Sequence, residues 1–383
     1  MNKLRSSSAG IYLHFPFCES KCPYCDFYST LIDDNVSTKF MDAVIAESNK
    51  EADSDFGSFI YDTIYFGGGT PSLMNPDEIN RLLENLQANF NIEKNAEITI
   101  ECNPSFLTEK KMKGYLKSGI NRISLGVQSF NEANLKTLGR LHTPDEAVKT
   151  YRIMRDSGFK NVSIDLIYGI PHQTIAEWES DLKTAIELGP DHISAYNLVI
   201  ESGTEFGRLY SQNRLNLPSD EEQLQMYDSL NEHLNNAGYR GYEISNFSLP
   251  GFECLHNLKY WTGKPYLGFG PSAVSFDGKV RRKNRADIES YLKSAEKNIE
   301  VPSETEIIDR ESALRESIMS GLRLTAGVSL ERLKDRFDYD LREDKRNTID
   351  SLLTEGMITI EDGFLKLADK ALFISDSVMV KLI

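Results

Sequence analysis

The sequence lacks the apolar segments that membrane insertion and secretion require. No apolar run approaches the roughly 18 residues that a bilayer-spanning helix needs. The first ten residues lack the apolar centre of a secretory signal. The 383-residue chain has only five cysteines, an odd number, so a disulfide scaffold is not expected. These absences predict a cytoplasmic protein with free thiols and no stable membrane insertion.

Basic residues are also scarce relative to acidic ones. The chain has 43 lysines and arginines against 58 aspartates and glutamates, a formal net charge of −15. Because binding to a phosphate backbone depends on Lys and Arg, this balance argues against a nucleic-acid partner. One short basic run, Arg281-Arg282-Lys283, stands out. It is either a solvated loop or a local contact for the carboxylates or phosphates of a ligand.

The cysteines that are present are concentrated near the start of the chain. Cys18, Cys22 and Cys25 have the spacing C-x3-C-x2-C. A cubane iron–sulfur cluster has four irons, each of which ordinarily takes one thiolate. Three thiolates leave one iron open to a substrate or cofactor, as catalytic zinc sites keep one open position. The spacing therefore indicates a [4Fe–4S] cluster that takes part in chemistry.

Zinc is the alternative occupant of this cysteine cluster. Its fourth ligand would be Cys102, Cys254 or a histidine. Zinc ribbons usually have two C-x2-C pairs, and no second pair exists here. Cys102 and Cys254 each stand alone, which is typical of buried thiols that pack as small hydrophobes. Ligand number thus favours the iron–sulfur cluster, and zinc remains open.

The first half of the chain predicts alternating strands and helices. We expect six strands, at 11–14, 63–66, 97–101, 122–127, 162–167 and 192–198. Helical patterns lie between them, and such alternation is typical of βα units around a parallel sheet. Right-handed crossovers wind the sheet into a full or partial barrel. In such barrels the chemistry takes place at the C-terminal ends of the strands.

A polar or glycine feature stands on or after each of the first five predicted strands. In strand order these are the cysteine loop, Gly67-Gly68-Gly69-Thr70, Glu101, Gln128 and Asp165, and Val199 follows the sixth strand. Isolated polar groups satisfied within the core would explain one such case more easily than five. The pattern therefore predicts a single ligand-binding mouth.

The second half of the chain has a different pattern. We expect a helix at 224–237, a strand at 242–247 and a ligand-contacting edge or packed aromatic corner at 254–261. From Glu306, three helices and a hairpin at Asp362-Gly363 predict a winged-helix-like domain. Sixteen acidic and twelve basic residues there favour a lid or docking role over DNA binding. The predicted domains are 1–225, 226–305 and 306–383.

Three motifs together resemble the radical S-adenosylmethionine (SAM) superfamily. They are Tyr12 to Phe17 followed by the cysteine run, Gly-Gly-Gly-Thr-Pro at 67–71, and Ile164 to Gly169. More narrowly, the chain resembles the oxygen-independent coproporphyrinogen III oxidase family. The resemblance implies an α/β fold: a partial (β/α)6 TIM-like barrel, a C-terminal α+β extension and a winged-helix-like domain. It also implies SAM on the open iron of the cluster.

Three departures place the chain closer to the haem-chaperone branch of this family. Phe27 occupies the position of the oxidases' fourth cysteine, Tyr12 lies close to the start of the given sequence, and the run from His256 to Trp261 matches H-N-x-x-Y-W. This branch binds haem and passes it to acceptor proteins. The alternative is the oxidase reaction, in which a SAM-derived radical initiates decarboxylation of a porphyrinogen. Whether the protein is an enzyme is left open.

The resemblance also implies a set of site residues. Cys18, Cys22 and Cys25 would bind the cluster. The SAM pocket would contain Tyr12, Tyr24, Gly68, Gly69, Thr70, Glu101, Gln128, Arg140, Asp165 and Val199, some of which contact a second SAM in the oxidases. Haem would lie near His256 at the barrel mouth, with Tyr260 and Trp261 stacked on the porphyrin. Implied partners are haem, haem-acceptor proteins and an electron donor such as flavodoxin or ferredoxin.

Overall fold

The predicted parallel strands are present in the computed structural model, which describes residues 8–105 and 107–383, apart from the side chain of Asp34. The part of the predicted first domain before Ser8 lies outside the described residues. The strands are β1 (Ser8–Phe15), β2 (Ile60–Gly68), β3 (Asn91–Cys102), β4 (Arg122–Gln128), β5 (Val162–Tyr168) and β6 (His192–Asn197). Each pairs in parallel with the next. The α/β barrel architecture predicted from the sequence is therefore confirmed.

The strands of the second half extend this sheet at both edges. They are β7 (Arg240–Gly241), β8 (Asn246–Ser248), β9 (Tyr266–Phe269), β10 (Val274–Phe276), β11 (Val280–Asn284) and β12 (Ser303–Ile307). The sheet order is β12-β11-β10-β9-β1-β2-β3-β4-β5-β6-β8-β7. Within the described residues β1 pairs with β9 rather than β6, so the barrel stays open.

Helices follow the strands and form an outer layer. They are α1 (Asp34–Glu51), α2 (Pro76–Asn89), α3 (Glu109–Ser118), α4 (Glu132–Thr137), α5 (Pro144–Asp156), α6 (Ile175–Leu188), α7 (Glu205–Ser211) and α8 (Asp220–Asn236). Asn75-x-x-Glu78 and Thr143-x-x-Glu146 form capping boxes that fix the first turns of α2 and α5. Except for α4 and α7, these helices share one apolar core with the sheet, in which Trp178 of α6 is fully buried. None of the helices in residues 8–105 and 107–383 has the length and apolarity of a membrane span.

One predicted strand is wrong. The segment 242–247 was expected to be extended, but the chain bends between β7 and β8. The Glu243 carboxylate accepts hydrogen bonds from the backbone N–H of Ser245 and from the Asn246 side chain. Such local side-chain bonds compete with a regular strand ladder. The bend lets Glu243 form a bridge with Leu324 of the C-terminal part.

The later helices complete the chain. They are α9 (Leu255–Trp261), α10 (Ile288–Glu296), α11 (Arg310–Arg323), α12 (Leu330–Phe337), α13 (Leu341–Asp344), α14 (Arg346–Thr354), α15 (Asp369–Leu372) and α16 (Ser375–Leu382). A small sheet of β13 (Val328–Ser329), β14 (Ile358–Glu361) and β15 (Phe364–Leu367) includes the expected hairpin at Asp362-Gly363. This C-terminal part has its own apolar core, to which the unpredicted α16 contributes. The boundaries 225/226 and 305/306 stay predictions.

Candidate cofactor site

The three cysteines lie in a closed loop directly after β1. Phe17–Cys18 pairs in parallel with Thr30–Leu31 and closes the base of the loop. The N–H of Thr30 donates to the Pro16 carbonyl at 2.8 Å. All three thiols are free and partly exposed. Cys18 in the paired segment, and Cys22 and Cys25 in the loop that follows it, therefore present three sulfurs at the mouth of the barrel.

The glycine run after β2 packs directly against this loop. In the parallel register Phe15 is opposite Gly68, so the two loops leave the sheet side by side. The N–H of Gly69 donates to the Phe15 carbonyl at 2.7 Å. A Cβ on Gly69 would lie 2.6 Å from the Phe17 carbonyl and 3.0 Å from Cys18 Sγ. Gly69 therefore permits an approach between the loops that no other residue type allows.

Arg140 brings positive charge to the cysteine loop. Its Nη1 lies 3.7 Å from Cys22 Sγ, and its Nη2 donates to the Gly126 carbonyl at 2.9 Å. Its Nε is buried and has no hydrogen-bond partner among the described residues. A buried donor without a partner is costly, so this nitrogen fits a site that receives a polar or anionic group.

The cysteine arrangement suits a cluster better than a single metal ion. Within residues 8–105 and 107–383, no three His, Cys, Asp or Glu side chains converge as one metal ion requires. In a cubane each thiolate binds a different iron, so the sulfurs need not converge on one point.

Glu101 at the end of β3 is the main acidic group of the mouth. Its carboxylate accepts a hydrogen bond from the Tyr65 hydroxyl at 2.9 Å and from the Gly68 N–H at 3.2 Å. Burial raises the pKa of Glu101 to about 7, although these two hydrogen bonds oppose the shift. A carboxyl group with this pKa becomes fully ionised when a cation binds beside it.

Asp165 on β5 is the second acidic group. It accepts hydrogen bonds from the hydroxyls of Ser124 at 2.7 Å and Ser163 at 2.9 Å. Burial raises its pKa above the ordinary value, with the serine hydrogen bonds opposing the shift. The negative charge of Asp165 is in turn one cause of the raised pKa of Glu101. The two carboxyl groups therefore favour a cationic or hydroxyl-bearing ligand between them.

Most of the predicted pocket residues line one cavity of about 450 Å³. This volume is in the usual range for small-molecule sites. The predicted residues that line it are Cys18, Cys22, Cys25, Tyr24, Gly68, Gly69, Thr70, Glu101, Gln128, Arg140, Asp165 and Val199. Tyr12 is the exception: its ring stacks on Tyr65 behind the wall, with centroids 6.2 Å apart. The roles of these residues stay predictions.

Sequence reasoning missed several residues that line this cavity. Tyr65, Arg122 and Ser194 all face it. Arg122 is the notable one, since it is 1% exposed and donates to Asn161 Oδ1 at 2.8 Å. Strand alternation could have found Tyr65 and Arg122, because residues an even number apart share a face of a strand. Tyr65 is four residues before Gly69 and Arg122 is six before Gln128, whereas Ser194 is an odd number of residues before Val199.

His256 lies inside the barrel and not at its mouth. It is 1% exposed, on α9, which begins over the Glu97 carboxylate. Its Nδ1 is 2.8 Å from the Thr63 hydroxyl and its Nε2 is 3.0 Å from the Tyr260 hydroxyl. Burial, with a smaller contribution from Lys259, lowers the pKa of His256 to about 3. The imidazole is therefore neutral, and both nitrogens have partners.

The C-terminal end of α9 borders a second cavity, of about 540 Å³. Tyr260 and Trp261 line it, together with residues of α11, α12 and β13. The guanidinium of Arg323 lies 4.6 Å from the centre of the Trp261 ring. The H-N-x-x-Y-W segment thus separates the cysteine cavity from this second one.

An open parallel barrel with three cysteines after its first strand defines a protein of the radical SAM class. Residues 12–185 match the Radical SAM superfamily, and residues 308–374 match the HemN C-terminal domain. The chain is similar to the protein named Heme chaperone HemW from Lactococcus lactis, with 34% identity over 97% of this chain and 96% of that one. The Bacillus subtilis protein of that name is 33% identical over 91% and 92% of the two chains. The chain therefore belongs to the HemW family of HemN-like radical SAM proteins.

The solved structure of coproporphyrinogen III oxidase (HemN) from Escherichia coli has the same fold. The TM-score is 0.84, covering 98% of this chain and 90% of that one, at 23% sequence identity. At this identity the likeness concerns the fold alone.

Proposed function

We propose that this protein is a haem chaperone that binds haem and transfers it to acceptor proteins, and that it carries a SAM-ligated [4Fe–4S] cluster. The observation that carries the proposal is the cavity that joins three free cysteines to the buried groups at the strand ends. Similarity to two proteins named heme chaperone, over more than nine tenths of this chain, supports the haem assignment.

Cys18, Cys22 and Cys25 would hold the cluster, and the rest of the cavity would hold SAM. When bound, this pair of groups supplies one-electron chemistry at the open iron. Arg140 balances the negative charge of the thiolates, and its unpaired Nε is available to a carboxylate. Glu101 and Asp165 accept hydrogen bonds from an ammonium group or from ribose hydroxyls. Tyr24, Gln128 and Val199 enclose the ligand and exclude water.

Haem would bind at the C-terminal end of α9, where Tyr260 and Trp261 offer aromatic faces. His256 would become an axial ligand only after its contact with Tyr260 opens, since both nitrogens are otherwise engaged. The acidic surface or the C-terminal part would dock the acceptor. An electron donor such as flavodoxin or ferredoxin would reduce the cluster, and the cytoplasm is the proposed location.

The oxidase reaction is the competing function. At the position of the oxidases' fourth cysteine, Phe27 is 62% exposed and lines the cysteine cavity, so the chain offers no thiol there. No contact within the described residues favours decarboxylation over haem binding. Oxidase activity is therefore one of the results that the following experiment can detect.

The experiment uses the anaerobically reconstituted full chain loaded with one equivalent of haem. Haem transfer is followed by absorbance against increasing concentrations of apomyoglobin, an unrelated scavenger, and of haem-depleted cytochromes from the host cell. A chaperone transfers to its acceptor at a rate that rises with acceptor concentration, whereas passive release to apomyoglobin has a constant rate. Equal, constant rates for all acceptors would overturn haem transfer. Formation of protoporphyrinogen from coproporphyrinogen with SAM and dithionite would establish the oxidase instead.

A further inference from the structure

The second cavity is formed jointly by the barrel edge and the C-terminal part. Its walls are mostly apolar and aromatic, and include Tyr260, Trp261, Tyr266, Phe276, Leu333 and Phe337. Its volume of about 540 Å³ falls in the range of sites for cofactors and other small molecules. The indole N–H of Trp261 is buried without a hydrogen-bond partner among the described residues. The cavity therefore suits a flat, largely apolar ligand with a few polar groups.

Two arginines give one side of this cavity a positive charge. Arg332 and Arg336 are four residues apart on α12, so they lie on one face of the helix, and both line the cavity. In residues 8–105 and 107–383 neither guanidinium has an acidic partner within salt-bridge distance. Arg281 on another wall differs, because Glu316 holds it through two hydrogen bonds of 3.0 and 2.7 Å.

The guanidinium groups of Arg332 and Arg336 place two positive charges close together on α12. Burial and the nearby charge of Arg332 lower the pKa of Arg336 from its ordinary value. Two guanidinium groups held close together repel each other, and the chain as a whole has a net charge of −15. A local excess of cations in an acidic protein is a marker of an anion site.

We propose that this cavity binds a planar aromatic ligand bearing carboxylates, with the ring against Tyr260 and Trp261 and the carboxylates on Arg332 and Arg336. The inference rests on the proposed function, because haem, with its two propionates, is such a ligand. Beyond the proposed function, the inference assigns one side of the haem-binding site to the C-terminal part. Guanidinium groups bind carboxylates through paired N–H donors, which orients the ligand as well as holding it.

The test is a titration of the full chain, without a cluster, with haem and with haem dimethyl ester, followed by absorbance. In Arg332→Gln/Arg336→Gln, haem affinity is expected to fall about tenfold to a hundredfold, since charged hydrogen bonds are lost. The dimethyl ester lacks carboxylates and is expected to bind the wild type and the double variant equally. Arg332→Lys/Arg336→Lys should restore most of the haem affinity. Arg342→Gln, an exposed arginine on α13 outside the cavity, is the matched control.

The possible results separate this inference from the proposed function. Wild-type affinity for haem in the glutamine double variant would overturn the role of the two arginines while leaving haem binding intact. Equal losses for haem and its dimethyl ester would mean that the arginines act on the fold and not on carboxylates, which also overturns the inference. A wild-type chain that binds neither haem nor metal-free porphyrin would overturn the proposed function and the inference together.

Discussion

The hydroxyl of Tyr260 lies 3.0 Å from Nε2 of His256, and this contact links the two cavities of the molecule. On one side, the His256 ring stacks on Tyr65 with centroids 5.1 Å apart, and the Tyr65 hydroxyl donates to Glu101 in the cysteine cavity. On the other side, Tyr260 lines the second cavity. A continuous column of contacting rings therefore runs from the strand ends to the C-terminal part.

This contact gives a direct test of His256 as a haem ligand. If the histidine binds the haem iron, Tyr260→Phe should raise haem affinity about fivefold, since no hydrogen bond must then be broken. His256→Ala should change the absorption spectrum of bound ferric haem, because imidazole is a usual axial ligand. Both variants are measured by haem titration, with Tyr210→Phe, an exposed tyrosine, as control. A spectrum and affinity unchanged in His256→Ala would remove this residue from the haem site.

The cysteines divide into two groups with different expected behaviour. Replacing Cys18, Cys22 or Cys25 by Ala should abolish incorporation of iron and acid-labile sulfide during anaerobic reconstitution, because each thiolate holds a separate iron. Replacing the buried Cys102 or Cys254 by Ala should leave about four irons and four sulfides per chain. Elemental analysis checks this. Zinc without labile sulfide in the wild type would contradict the cluster.

Gly69→Ala tests the close approach of the two loops. The added Cβ would lie 2.6 Å from a backbone carbonyl, which cannot rotate away, so the cysteine loop must shift. We expect a loss of about 1–3 kcal/mol in unfolding free energy and reduced cluster incorporation. Gly203→Ala is the matched control, since nothing lies within 4 Å of a Cβ built there. Denaturant melts and sulfide analysis measure the two effects; full cluster incorporation in Gly69→Ala would show that the loops can separate.

Glu101 makes a prediction about pH. Its pKa of about 7 in the ligand-free chain would fall when a cation such as SAM binds beside it. Binding below pH 7 then releases a proton, so SAM affinity should rise by up to about tenfold per pH unit as pH increases towards 7 and level off above it. Calorimetry with the reconstituted protein measures this profile. Glu101→Gln should flatten it, whereas Glu201→Gln, an exposed residue of the same cavity, should not. A wild-type affinity independent of pH would exclude contact between Glu101 and the cation.

The barrel and its mouth were accessible from sequence because both follow from local patterns. Apolar strands alternating with capped helices determine a parallel sheet, and parallel strands carry Glu101, Gln128 and Asp165 to the same end. The strand limits were less accessible. For example, β3 was expected at 97–101 but begins at Asn91. The prediction missed its first residues because they are polar and largely exposed and show no alternation.

The rest depended on contacts between distant segments. The sequence identifies His256 as an unusual residue, but cannot show that Thr63 and Tyr260 satisfy both of its nitrogens. Nor can it place Arg332 near Trp261, seventy-one residues earlier in the chain, because the barrel edge and the C-terminal part must first pack together. Sequence patterns thus located the cysteine cavity, and tertiary packing created the second one.

The buried carboxyl of Glu47 on α1 should make stability depend on pH. It accepts hydrogen bonds from Tyr291, Asn284 and the Gly270 N–H, and burial raises its pKa to about 7. An unfolded glutamate titrates near 4.3, so between these values the folded state holds a proton that the unfolded state releases. The stabilising contribution of the protonated Glu47 carboxyl to the unfolding free energy is therefore full below about pH 4.3. It decreases by roughly 3 kcal/mol as pH rises through 7. Denaturant melts between about pH 5 and about pH 8 should show that the unfolding free energy of the wild type falls with pH relative to that of Glu47→Gln, which cannot ionise at this position. The same comparison with the exposed Glu187→Gln should stay flat, and a flat difference for Glu47→Gln would mean that this carboxyl is already ionised in the fold.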